Sequence, residues 1–566
     1  MMHGFLFLLA AGTSLLSWLM PNHTLPWASW HSEAMAFLAV LVFAWLGLAR
    51  SRRVADVSDI AFPPATLPFV ALALIAAAQK AGGELHFLGD VLVFWLYLAL
   101  CIVALVLGYS ATARERLGSA PSGAAFSLRG LAFILLAAGV ISTVIAYAQL
   151  FGLWESSEWI LRTWGWRRPG ANLAQPNHLA TLLVMGVASV VFLYQSQRLG
   201  GLACSLLLLV LYAGLAVAES RTGMLSLLLL LGWWLLKRRR IGCAPPVWVG
   251  IGCAAVALAL FLAWPPLLNT LLLDDEATLN TTSSLRLELW SQLLDAIAIK
   301  PWLGWGIHAT AQAHNAVADR YAVSAPLTYS HNLLLDAALW WGLPLTALLV
   351  ALVGVWLWRR VRATNDLVPW YGLAVALPLA VHSMLEYPFA YAYFLAPAMF
   401  AIGATEAALG LRPLWRFPAG AVVAALALLT VVLSWSAVEY LQIEEDFRIA
   451  RFESLRIGTT PPNHQRPPVV LFDQLGLLLD DARIVPTPHM SPADMRVVKA
   501  AALHYPWSAT QYRYALALAL NGEQQEAARQ IQVMRRQWGE KAYGELKQQI
   551  RFVADRYPEL HALPLP

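Results

Sequence analysis

Charge is what this sequence has little of. Only 13% of its 566 residues are Asp, Glu, Lys or Arg, while 59% are hydrophobic and mean hydropathy is +0.58. Soluble domains carry about a quarter charged residues, so a water-exposed globule is excluded. The net charge of +5 is spread over short links between apolar runs, which leaves no basic stripe for nucleic acid. Cysteine is scarce too. Cys101, Cys204 and Cys253 fall inside apolar runs and Cys243 in a link, giving neither a disulfide framework nor a paired-cysteine metal motif. What is abundant is apolar sequence in stretches of about 18 or more residues, each long enough to cross a bilayer core.

About thirteen such spans are expected, near 3–20, 34–50, 62–80, 90–109, 128–151, 177–195, 199–218, 222–236, 246–265, 333–358, 369–385, 390–410 and 418–438. The first run, MMHGFLFLLAAGTSLLSWLM, lacks a basic leader and is read as an uncleaved first helix. Alternate links hold the basic residues, among them Arg50, Arg52, Arg53, Arg114, Arg116, Lys237 to Arg240, Arg359, Arg360, Arg362, Arg412 and Arg416. The positive-inside rule places these links in the cytoplasm. The other links then face outward, including 152–176, 219–221, the long 266–332 and everything after 439. The expected fold is all-α: a polytopic helical membrane domain over 1–438, with its large outward loop at 266–332, and a helical outward domain over 439–566. In that last part, Tyr512, Ala515, Leu516, Gly522, Glu526 and Ala527 follow the spacing of one tetratricopeptide unit. Its two helices should turn at Asn521-Gly522.

Polar groups are costly in a bilayer protein and collect where they act. Arg221 stands at a tight outer turn (AESRTG), Arg286 in SSLRLELW, and Arg162, Arg167 and Arg168 in LRTWGWRRPG. Their planar forks suit phosphate oxygens. The ordinary alternatives are snorkelling to lipid headgroups or pairing with Glu219 and Glu288. His331 lies where the long loop meets the next span, with Ser330 or Asn332 as the helix cap. The positive end of a helix disfavours an imidazolium, so a neutral ring fit to act as a general base is expected there. A capping or packing histidine is the plainer alternative, and His308 and His314, farther from the helix mouth, are expected to matter little. Gln175, Asn177 and His178 form a polar cluster at the start of another span, and His382, Glu386 and Tyr387 another at an outer edge. Tyr391 and Tyr393 fit an interfacial aromatic belt. Neither His178 nor His331 has a carboxylate or third histidine at ligand spacing, so no metal site is expected.

The run SRTGML, SSLRLELW, KPWLGWGIH and SHNLLLDAALWWGLP resembles the core of the O-antigen ligase/polymerase superfamily. The likeness lies in an outer-turn Arg, an Arg-x-x-x-Trp helix, a Pro-x-x-Gly-x-Gly turn and a His-Asn pair opening a span. RRPGANLAQPNHLATLL and the C-terminal region are similar to bacterial protein O-oligosaccharyltransferases of the PglL type. The resemblance covers roughly residues 160–566. It implies transfer of a whole glycan from undecaprenyl diphosphate to a protein Ser or Thr, on the periplasmic face of a Gram-negative inner membrane. Metal, nucleotide sugar and other cofactors would not be needed, and the partners would be the lipid-linked oligosaccharide, a pilin-like or other periplasmic acceptor, and membrane lipids. Arg221 and Arg286 would bind the diphosphate, and His331 would be the essential histidine, as base or as orienter of the sugar–phosphate linkage. Gln175 and Tyr387 match the family's Gln and Tyr motifs, with Asn177, His178, Asn332, Glu386 and Arg168 in support. Three alternatives stand beside it: ligation of O-antigen to lipid A-core, polymerisation of the glycan and, in a different class, transport of the lipid-linked glycan, which would want charges lining a cavity through the membrane rather than at its outer edge.

Overall fold

The computed structural model describes residues 2–51, 59–116, 125–154, 156–162, 168–242, 245–271, 284–460 and 464–565. Arg52, Arg53, Arg167 and Cys243 lie outside the described residues, as does the 272–283 stretch of the long loop. The apolar helices are α1 (Met2–Leu19), α2 (Trp30–Ser51), α3 (Leu67–Ala81), α4 (Leu88–Arg116), α5 (Phe126–Leu150), α6 (Pro176–Gln195), α7 (Gly201–Ala218), α8 (Arg221–Lys237) and α9 (Val247–Thr270). Two helices of the long loop follow, α10 (Ser284–Ile299) and α11 (Thr310–Asn315). Then come α12 (Leu333–Ala363), α13 (Leu367–Ser383), α14 (Ala392–Ala408) and α15 (Ala419–Ser454). The chain closes on α16 (Asp473–Asp481), α17 (Pro492–His504), α18 (Ser508–Leu520) and α19 (Gln524–Ala554). Nine of the described helices are long and apolar enough to cross a membrane, and α1, α13 and α14 contribute shorter apolar helices. With α8, they account for every expected span. The protein is an all-α, multi-pass membrane protein.

It divides into two compact units. The first holds Met1–Ala73, Leu96–Thr281 and Gly354–Ser434. Its pillar is α6, buried along 83% of its apolar window, whereas α15 is buried along only 11%. Helices α5, α7, α8 and α13 surround α6. Its few polar groups therefore point into protein, where each must find a partner. One small ribbon interrupts the helices: Asp59–Phe62 pairs antiparallel with Trp415–Pro418, Ile60 facing Phe417. On α4, Arg116 donates to the carbonyls of Ala407 (2.6 Å) and Ala408 (2.7 Å), placing a cation at the carbonyl end of α14.

The second unit holds Leu74–Trp95, Thr282–Val353 and Trp435–Pro566. Here α18 and α19 form the expected antiparallel pair, turning at Asn521-Gly522 with Gly522 at φ +89°. They bury Val498, Tyr514, Ala527, Ile531 and Met534 among them. Loop and C-terminal helices interlock: Asn315 bonds Gln530 at 3.1 Å, and the Arg536 carbonyl accepts from the Ser324 amide at 3.1 Å. Asp473, opening α16, caps the first turn of α4 by accepting from the amides of Leu88 (2.9 Å) and Gly89 (2.7 Å).

The Pro-x-x-Gly-x-Gly turn locks onto α12. The Trp305 amide donates to the Leu339 carbonyl (2.6 Å) and the Leu343 amide to the Pro301 carbonyl (2.7 Å). Gly304 (φ +76°) and Gly342 (φ +79°) allow this approach, since a Cβ on either would fall 2.6 Å from the Leu339 oxygen or 2.3 Å from the Trp302 oxygen. Gly342 also breaks α12, so its first nine residues form a separate stub.

Candidate functional site

Two groups of the expected site residues emerge, one in each unit. In the first, Gln175 is the N-cap of α6, with Pro176 at the first helical position. Its side-chain oxygen accepts from the His178 amide at 2.8 Å, and its amide nitrogen donates to Glu386. Asn177 donates to the other Glu386 oxygen at 2.6 Å, and His382 lies 3.2 Å from the first. A carboxylate only accepts, so His382 carries its proton on Nε2 and turns Nδ1 toward the Thr181 hydroxyl at 2.7 Å. Burial works against the Glu386 charge. The hydrogen bond and electrostatic pull of His382, then the Gln175 bond and the field of His178, more than offset it and hold the group at about 2. Glu386 is thus a buried carboxylate, 4% exposed, serving as the hub of its network.

His178 is buried against this hub, its ring 4.5 Å from Tyr391 and 5.6 Å from His382 by centroids, with the Tyr393 hydroxyl 3.3 Å from Nδ1. Tyr393 is 2% exposed. This corrects the belt reading of Tyr391 and Tyr393: both pack around the histidine. Tyr387 stacks on Tyr391 at 6.0 Å, and burial followed by the neighbouring Glu386 charge pushes its phenol up, so it stays neutral.

The spacing argument about metals also needs correction. His178, His382 and Glu386 each offer a ligand atom within 4.8 Å of the others, a set that linear spacing concealed. These atoms are already tied together, since Glu386 accepts three donors and His382 is bonded through both nitrogens. An ion there would displace the His382–Glu386 bond.

Arg221 begins α8 behind its N-cap, Ser220, whose oxygen accepts from the Gly223 amide at 3.0 Å. Arg221 is exposed, and no described residue hydrogen-bonds or pairs with its guanidinium, so pairing with Glu219 does not occur. Arg168 donates from Nε to the Ala218 carbonyl at 3.1 Å, fastening its loop to the α7–α8 turn.

In the second unit, Asn332 is the cap of α12, its side-chain oxygen accepting from Leu334 (2.9 Å) and Leu335 (3.2 Å). His331 precedes it in the left-handed region, φ +60°. For a non-glycine residue this conformation is strained and persists only where neighbours enforce it. The enforcement is visible. The Ser330 amide donates to Asp336 (2.9 Å), the Ser330 hydroxyl to the Asn332 carbonyl (2.7 Å), and the Trp290 indole to the Ser330 carbonyl (2.9 Å). Arg286 stands one helical turn before Trp290 on α10. His308 is half-buried, with its ring stacked on Trp340 at 5.4 Å. His314 is wholly buried among Gln292 (2.8 Å), Ser324 (3.1 Å) and Gln537 (3.3 Å), with burial pushing its ring down to about 4. His314 is therefore a structural centre of the second unit.

Sequence reasoning missed Thr181 and Ser220 as parts of the network. Both resemble ordinary small polar residues of a span.

Membrane-length helices that gather their polar groups at helix mouths, around a buried carboxylate and beside an exposed arginine, define a multi-pass membrane protein with a polar site at the ends of its helices. Comparison with known families gives the rest. Residues 169–194 match protein glycosylation ligases, 206–350 match O-antigen ligases, and 370–551 match the C-terminal part of virulence-factor membrane-bound polymerases. The chain is similar to a general O-oligosaccharyltransferase of Acinetobacter baylyi (27% identity over 81% of this chain and 78% of the relative). It is also similar to a ComP-specific O-oligosaccharyltransferase of the same organism (26% identity over 68% of each chain). The chain is thus similar to O-antigen ligases and to protein glycosylation ligases.

Proposed function

We propose that the chain is an O-linked oligosaccharyltransferase that moves a glycan en bloc from undecaprenyl diphosphate to Ser or Thr of a periplasmic or pilin-like protein, without a metal ion. It does so at the periplasmic face of the inner membrane, with 1–438 as the membrane domain and 439–566 as a periplasmic helical domain. The observation that carries the reading is the exposed Arg221 at the start of α8, without a partner among the described residues, where the guanidinium and the helix amides favour the same anion. The acceptor hydroxyl oxygen forms the new bond to the anomeric carbon, and the bond from that carbon to the phosphate oxygen breaks. The electron pair leaves with undecaprenyl diphosphate, whose charge Arg221 and Arg286 neutralise. His331 takes the hydroxyl proton. Gln175, Asn177, His178, Glu386 and Tyr387 hold the helix mouths in place, Arg168 secures the turn before Arg221, and Asn332 fixes His331 by capping α12.

The test is purified full-length protein with a lipid-linked oligosaccharide and a pilin-like acceptor, scored by intact mass. A mass gain of one whole glycan supports the reading. Transfer to lipid A-core in place of protein would reassign the chain as an O-antigen ligase, and movement of the donor without transfer would make it a transporter.

A further inference from the structure

We infer that Ser220 is a positioning residue: its hydroxyl joins the Glu386 network to the first turn of α8 and so fixes where Arg221 presents its guanidinium. The inference rests on the reading that Arg221 meets the donor diphosphate.

The Ser220 hydroxyl has one hydrogen, and it goes to the side-chain oxygen of Asn177 at 2.6 Å. A lone pair on the same oxygen accepts from the Gly223 amide at 3.0 Å. The Asn177 amide nitrogen in turn donates to Glu386 at 2.6 Å. One uninterrupted chain of hydrogen bonds thus runs from the buried carboxylate, through α6, to the backbone of α8. Ser220 is 1% exposed, so water does not compete for these bonds. The helices approach closely here, since a Cβ on Gly223 would stand 2.6 Å from that of Ala180. Glu219 occupies the left-handed region at φ +46°, which makes the turn before Ser220 sharp and specific. The Arg221 side chain reaches into the open, but its backbone is held from Glu386.

A helix cap acting only on stability and a positioning residue predict different results. The experiment measures donor titrations and thermal unfolding for full-length protein in detergent with a lipid-linked oligosaccharide. Ser220→Ala loses both bonds. Ser220→Gly keeps a competent cap, since glycine costs a cap position only a few tenths of a kcal/mol, yet cannot donate to Asn177. Both variants should raise the KM for donor about five- to tenfold, the scale of one net hydrogen bond, with kcat changed less. In an Asn177→Ala or Arg221→Ala background, Ser220→Gly should add no further rise. An unchanged KM in Ser220→Gly, with Arg221→Ala impaired, overturns the positioning role and leaves the diphosphate reading standing. Unchanged kinetics in Arg221→Ala overturns the diphosphate reading itself.

Discussion

The Trp290 indole donates to the Ser330 carbonyl at 2.9 Å, and this bond fixes α10 against the strained turn that carries His331. The Arg-x-x-x-Trp spacing thereby gains a physical meaning. The tryptophan anchors the helix, and the arginine one turn earlier shares its face. Trp290→Phe keeps the ring and removes the donor. It should leave the protein folded and lower transfer by up to roughly tenfold, in line with one lost hydrogen bond. Rate measurements on detergent-purified protein decide this, and wild-type transfer would show that the bond does not set the His331 turn.

Arginine and lysine should not be exchangeable at the donor site. Arg221→Lys and Arg286→Lys keep the charge and lose the bidentate fork. Each should retain the fold and lose most transfer. Wild-type rates in both variants, read by acceptor glycosylation, would favour a membrane-anchoring role.

His331→Ala should leave expression and donor binding nearly intact while lowering transfer by about 10²–10⁴-fold, the usual scale for loss of a general base. The deficit should persist at saturating donor. If the variant loses donor binding as well, His331 is a ligand of the phosphate or sugar instead.

His314→Ala should act through stability. It strands Gln292, Ser324 and Gln537 in a buried site, at a cost of about 1–3 kcal/mol. A lowered unfolding temperature with a normal specific rate in the surviving folded fraction is the expected pattern.

Glu386 should make the protein sensitive to acid. Its carboxyl is held at about 2, below the ordinary 4.5, so its stabilisation is complete above that ordinary value and is lost as pH falls toward 2. Glu386→Gln lacks this contribution at every pH. The gap in unfolding temperature between wild type and variant should be constant from about pH 7 to about pH 5 and narrow by about pH 3. A gap that does not narrow would mean that the charge on Glu386 is not what holds Gln175, Asn177 and His382.

The fold was legible because hydropathy is a local property: each apolar run became a helix, and the Asn521-Gly522 turn appeared where the pattern breaks. The cap at Asn332 was legible for the same reason. What sequence could not show was convergence. Gln175 and Glu386 lie far apart along the chain and meet only when α6 packs on α13. Metal-ligand spacing, read along the chain, missed that His178 reaches a His382–Glu386 pair one turn apart. Tyr393 resembled an interfacial tyrosine because burial inside a membrane protein leaves no compositional mark. Ser220 was hidden beside Arg221, whose charge drew the attention.

The cap that Asp473 places on α4 bears on how the protein is made. The chain grows from its N-terminus, so the first turn of α4 emerges with the Leu88 and Gly89 amides still awaiting their acceptor. That acceptor is synthesised only after α15, the last of the apolar helices described above. The start of α4 is therefore completed by a residue produced 385 positions after Leu88, and a chain stopped before Asp473 ends its synthesis with that helix unfinished.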